Sequence, residues 1–190
     1  MNTINDCYTL NKGMKLPCLG FGTYNEKDGD NLEIIRGAIR AGYRFFDTAS
    51  IYETERVLGE AVKESGIPRE EFIIETKCWV DELGYDGAKK AFEASLERLQ
   101  MDYVDLYLMH WPRQTGAEDE DWKRLDKETW RALEELQASG RVKAIGCSNF
   151  LPHHLENLLE DCRVRPVVDQ LELHPGYSQE AAGAYCLAHD

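Results

Sequence analysis

The chain has 190 residues, 43% of them hydrophobic and 30% charged, which suits one globular domain with a substantial core. Its 22 Lys and Arg against 35 Asp and Glu leave a formal charge of -13, which excludes a nucleic-acid backbone as partner, since that calls for clustered cations. No apolar run reaches membrane-spanning length, and "MNTINDCYTL" lacks the basic start and apolar middle of a signal peptide, so no membrane partner is expected.

In chain order, "YTLNKGMKLP" reads as a β-hairpin turning at Lys12-Gly13. Strands are predicted at "CLGFGTY", "YRFFDT", "FIIETK", "DYVDLYLMH", "VKAIGCS" and "PVVDQLEL". The segments between them carry helical spacing, as at Ile35, Ala38 and Ile39, at Ala88, Phe92, Leu96 and Leu99, and at Trp130, Leu133 and Leu136. Gly42, Gly66 with Pro68, and Gly140 fall where helices should end. The six cysteines (Cys7, Cys18, Cys78, Cys147, Cys162, Cys186) form no CxxC pair, so reduced thiols and a cytoplasmic location are expected.

Alternating strands and helices imply a parallel sheet, either open or closed into a barrel. Only "GFG" follows the first main strand, without the G-x-G-x-x-G of a dinucleotide-binding turn, which favours the barrel. The positions of the polar residues favour it too. Asp47, Lys77 and His110 end three successive strands, and in a (β/α)8 TIM barrel such ends share the rim where active sites are built. Each has a plainer explanation: a helix cap at Asp47, a solvated strand end at Lys77, a core histidine at His110.

Taken together, and with Tyr52 in the loop after Asp47, they suit proton transfer to a carbonyl oxygen. Tyrosine is a weak acid, with a pKa of about 10. The Lys77 ammonium is expected to stabilise the tyrosinate and bring that value down, with Asp47 holding the lysine. His110 would orient the carbonyl by a hydrogen bond, and hydride would come from a cofactor.

The ordered set "GFGTY", "DTASIY", "ETKCW", "MHWP", "GCSNF" and "DQLELHP" resembles the aldo-keto reductases, NADPH-dependent barrel enzymes, and among them the bacterial 2,5-diketo-D-gluconate reductase-like group. The likeness runs from Leu10 to the C-terminus. It implies reduction of a small aldehyde or ketone, with Tyr52 as general acid and Asp47, Lys77 and His110 completing a tetrad. It places Gly22, Thr23, Tyr24 and Asp47 along the nicotinamide ribose, and Ser148, Asn149 and Gln170 on the carboxamide. Tyr24, Trp79, His110 and Trp111 would line the substrate pocket. The alternative is a cofactor-binding regulatory subunit with a reductase-like barrel.

The acidic stretch "RQTGAEDEDWKRLDKE" reads as a long, solvated rim loop. His153 and His154, adjacent on a helix, should point apart and share no metal. The strand starts recur every ~29 residues, so eight units would need about 250 residues. The expectation is therefore a single domain over residues 1–190 with about six βα units, incomplete at the C-terminus. Open barrel edges would then invite self-association.

Overall fold

The computed structural model describes residues 4, 6–10, 13–24, 31–112 and 119–189. The chain begins with an antiparallel pair, β1 (Cys7–Thr9) and β2 (Lys15–Pro17), in which Cys7 faces Pro17 and Thr9 faces Lys15. The expected turn includes Lys12, which lies outside the described residues. Gly13 sits beside it with φ +84°, a conformation that favours glycine.

Six strands then form one parallel sheet in the order of the sequence: β3 (Phe21–Gly22), β4 (Phe45–Asp47), β5 (Ile73–Cys78), β6 (Val104–Met109), β7 (Val142–Ser148) and β8 (Asp169–Gln170). Each is followed by a helix: α1 (Asn31–Arg40), α2 (Glu55–Glu64), α3 (Tyr85–Leu99), α4 (Asp119–Ala138), α5 (Pro152–Leu159) and α6 (Glu180–His189). This is the expected partial (β/α)8 barrel with six βα units. The two outer strands are shorter than "CLGFGTY" and "PVVDQLEL" suggest, because each has a hydrogen-bonded neighbour strand on one side only.

The central strands β5, β6 and β7 are almost wholly buried, as a parallel sheet under helices requires. Along β5, Ile74 and Cys78 point outward into a core shared with Leu58, Phe92, Leu96 and Trp130 of the helices. Glu75 and Lys77 alternate with them and point inward. The inner face carries Leu106, Leu108 and Ala144, with Met14, Val167 and Val168 packed against them. A Cβ at Gly146 would lie 2.8 Å from both Leu108 and Val168, so β7 meets β8 this closely only with glycine there.

One prediction fails at α4. The helix begins at Asp119, so most of the acidic stretch expected to be loop is helical, while 113–118 lie outside the described residues. Trp122, Asp126, Trp130 and Leu133 are all buried, and their spacing puts one stripe of an otherwise charged helix against the protein. Trp122 meets the His154 ring edge-on at 5.0 Å. The His153 and His154 rings lie 3.8 Å apart rather than diverging. His154 Nδ1 accepts the Leu151 N–H at 3.1 Å, and no metal-ligating group of three or more occurs among the described residues. Cys18, Cys78, Cys147, Cys162 and Cys186 are free thiols. No helix among the described residues is long and apolar enough to cross a membrane.

Candidate active site at the C-terminal rim

Asp47 is the last residue of β4, and the chain turns sharply after it. Thr48 and Ala49 are fully buried, and a 3-10 turn over Ser50–Tyr52 carries the tyrosine back across the rim. Glu53 follows in the left-handed region, φ 59°, which lets α2 start two residues on. Thr54 anchors this loop. Its hydroxyl lies 2.8 Å from Thr23 Oγ1 and 3.0 Å from Thr48 Oγ1, so three threonines join the ends of β3 and β4 to α2.

Lys77 is wholly buried on the inner face of β5. Its ammonium donates to Asp47 Oδ1 and, at 3.2 Å, to the carbonyl of Thr48. It also lies 3.2 Å from Glu75 Oε1 and 5.4 Å from the centre of the Tyr52 ring. His110 continues β6, its N–H donating to the Cys78 carbonyl at 3.0 Å, and its Nε2 lies 3.3 Å from Tyr52 Oη. His110 Nδ1 is buried without a partner, so Nε2 is the ring's point of contact with the site. The four residues expected to act together are brought together.

The electrostatics differ from expectation at Tyr52. Burial raises its pKa above 10.0, and Lys77 only partly offsets this, opposed by Asp47 and Glu75. The tyrosine therefore holds its proton at neutral pH. Burial pushes His110 down to about 4, helped by Lys77, so the imidazole is neutral. Burial opposes the charge on Lys77, but Glu75, Asp47 and Tyr52 outweigh it and raise the pKa, so the lysine stays an ammonium.

The aromatic residues divide. Tyr24 lies 5.0 Å from the Tyr52 ring and is 62% exposed, while Trp79 meets His110 edge-on at 5.0 Å. Trp111 follows His110 directly and is exposed at the rim. Glu82 ties two of these loops, accepting from the Trp79 N–H at 2.8 Å and from Ser50 Oγ at 2.7 Å.

Ser148, Asn149 and Gln170 gather where β7 and β8 end. Ser148 Oγ donates to the Gln170 carbonyl at 2.8 Å, and Asn149 Nδ2 donates to the His110 carbonyl and to Ser148 Oγ, each at 3.0 Å. Asn149 has φ 61°, a conformation asparagine tolerates better than most residues. Gln170 Nε2 donates to both Asp47 Oδ2 and Glu75 Oε1 at 3.0 Å. Glu75 is the residue missed in the sequence. The signal was its spacing of two from Lys77, which puts both on one face of a strand.

A sequence profile of the Aldo/keto reductase family matches residues 18–190. The chain belongs to the aldo/keto reductase family. It is 44% identical to the 9,11-endoperoxide prostaglandin H2 reductase of Trypanosoma cruzi over 191 residues, covering 100% of this chain and 64% of that protein. It is likewise 44% identical to the glyoxal reductase of Bacillus subtilis over 185 residues, covering 97% and 64%. Among solved structures, an aldo/keto reductase from Brucella melitensis superposes with a TM-score of 0.90 at 41% identity, over 97% of this chain and 70% of that one. An aldo-keto reductase of Bombyx mori in complex with NADP gives 0.89 at 32%, over 98% and 64%. The chain thus spans about two thirds of the length of these reductases.

The rim suits the nicotinamide end of such a cofactor. Gly22 is exposed and pairs with Asp47 across the sheet, and a Cβ built there meets nothing within 4 Å. A flat ring could therefore approach the backbone beside Asp47. Ser148 Oγ, Asn149 Nδ2 and Gln170 Nε2 all donate within the protein, so the groups here that could meet a carboxamide N–H are the amide oxygens of Asn149 and Gln170. Thr23 is mostly committed elsewhere, its hydroxyl bound to Thr54 and to the Asp47 carbonyl at 3.1 Å.

Proposed function

We propose that this chain carries the proton-donating centre of an NADPH-dependent reductase of small aldehydes and ketones, with Tyr52 as general acid. One observation supports this above the rest. The protonated Tyr52 hydroxyl, the neutral His110 Nε2 and the Lys77 ammonium converge at the strand ends, with 3.3 Å between the first two. A carbonyl oxygen seated between Tyr52 Oη and His110 Nε2 would meet a proton donor and a polar imidazole edge.

As the oxygen gains charge, Tyr52 gives up its proton, and Lys77 beneath the ring offsets the charge left on the phenolate. Asp47 holds the lysine in place. Tyr24 and Trp79 would flank the substrate, with Trp111 closing the pocket further out. Ser148, Asn149 and Gln170 would hold the carboxamide, beside Gly22, Thr23 and Tyr24 along the ribose. When bound, NADPH supplies the hydride. The names of the glyoxal reductase relative and the NADP-bound structure support the same chemistry.

The test combines an NADPH fluorescence titration with consumption of NADPH in the presence of small aldehydes and ketones. Tyr52→Phe should lower turnover by ~10²–10⁴-fold with cofactor affinity unchanged. Equal turnover by the variant would sink the assignment.

A further inference from the structure

The family's tetrad leaves Glu75 without a role, yet it is 1% exposed and lies among the charged groups of the site. Its Oε1 is 3.2 Å from Lys77 Nζ and accepts from Gln170 Nε2 at 3.0 Å, while the same amide donates to Asp47 Oδ2 at 3.0 Å. Asp47 and Glu75 are Cα partners across β4 and β5, so both carboxylates lie level on adjacent strands with the lysine between them. On the other side Glu75 pairs with Leu106, part of the apolar inner face. A carboxylate in that setting loses its water and must take its stabilisation from the groups it touches.

We propose that Glu75 is a second counter-ion of Lys77, a positioning residue that divides the lysine's charge with Asp47 and so governs how readily Tyr52 gives up its proton. The proposal rests on the reading of Tyr52 as the proton donor and adds to it a control on when the proton leaves. The groups facing Glu75 are Asp47 from β4, Lys77 from its own strand, Tyr52 from the turn after β4, Gln170 from β8 and the apolar Leu106 from β6. His110 and Tyr24 stand beyond them, against Tyr52.

With Glu75 ionised, Lys77 answers two carboxylates and supports the tyrosinate less. With Glu75 neutral, it answers Asp47 alone and supports it more. The directions of titration agree. Burial raises the pKa of Glu75 above the ordinary carboxylate range, against the pull of Lys77, and its charge is among those that raise Tyr52. The hydrogen bonds through Gln170 extend this link to the side chain assigned to the nicotinamide carboxamide.

The experiment is a tyrosinate absorbance titration of the protein minus that of Tyr52→Phe, which isolates Tyr52 without cofactor or turnover. The same pair is then measured with Glu75→Gln, and with Glu75→Thr as a second variant should the first fail to fold. Either substitution should lower the Tyr52 midpoint by on the order of one pH unit. An unchanged or higher midpoint, in a variant that keeps the original circular dichroism spectrum, overturns the proposal. Steady-state kinetics separate it from the functional reading. The alkaline limb of turnover should move down by the same amount. A shifted midpoint in a protein that binds NADPH but reduces no carbonyl would leave the role of Glu75 standing and sink the reductase.

Discussion

At the N-terminal end of the sheet, Asp105 of β6 accepts from Arg69 Nη2 at 2.8 Å and from the Ile74 N–H at 3.0 Å, and it pairs with Lys143 Nζ at 2.7 Å. At the C-terminal rim the ratio is reversed, with one lysine between Asp47 and Glu75 and a phenol above it. The lower carboxylate has two cations, and Lys143 is half exposed, so its charge is more than balanced while part of the desolvation cost is avoided. The upper cation is wholly buried and is claimed by more negative groups than it can satisfy. A cluster with surplus countercharge can do little but hold strands together. One in which a single ammonium is shared changes its balance whenever a proton moves. This is the division between stabilising and reactive ends seen in barrels generally.

Removing the shared cation should break the comparison most severely. Lys77→Met leaves Asp47 and Glu75 facing each other through Gln170 and takes the ammonium from beneath Tyr52. Steady-state kinetics should show turnover lower by about 10²–10⁴-fold, and thermal unfolding should show stability falling as the pH rises through neutral, because Glu75, whose pKa burial already raises, must then ionise without the ammonium. Asp105→Ala at the other end should do the opposite. It leaves Arg69 uncompensated and costs about 3 kcal/mol in urea unfolding, with NADPH affinity unchanged.

A third buried acid sharpens the contrast, because it has no cationic partner among the described residues. Both carboxylate oxygens of Asp126 on α4 lack hydrogen-bond partners, and burial raises its pKa from 3.8 to about 9. A raised acid is stabilising in its protonated form, so its contribution is complete below pH ~4 and is lost as the pH rises toward about 9. Asp126→Leu should remove that alkaline slope and add about 1–2 kcal/mol at pH ~8, seen as a higher unfolding midpoint.

His110 gives the smallest effect at neutral pH. Its pKa falls from 6.5 to about 4 on folding, so the unfolded chain binds the extra proton first. Stability is therefore complete above pH ~6.5 and is lost as the pH falls toward about 4. His110→Gln should flatten that acid limb in a pH series of thermal melts and leave stability above pH ~7 little changed.

Much of this site was legible in the chain. The strand-like run "FFD", the acid closing it and the tyrosine five residues later placed Asp47 and Tyr52, and the ends of "IIETK" and "LYLMH" placed Lys77 and His110. The errors have physical causes. The start of α4 was hidden because a surface helix needs only a stripe of apolar positions, and Trp122 and Leu125 alone marked that stripe within a run of charges. The short β3 and β8 follow from having one hydrogen-bonded neighbour strand each, a property of the sheet and not of either segment.

The sequence by itself determined which side chains share a face, because a period of two along strands and 3.6 along helices is set by the local backbone. Only the tertiary structure decided which charges meet and how much water they lose. Gln170 reaches Asp47 from 123 positions away and Glu75 from 95, and burial outweighs Lys77 in keeping the proton on Tyr52. Both depend on strands laid side by side around an apolar interior, where a charge is felt at close range and water no longer screens it.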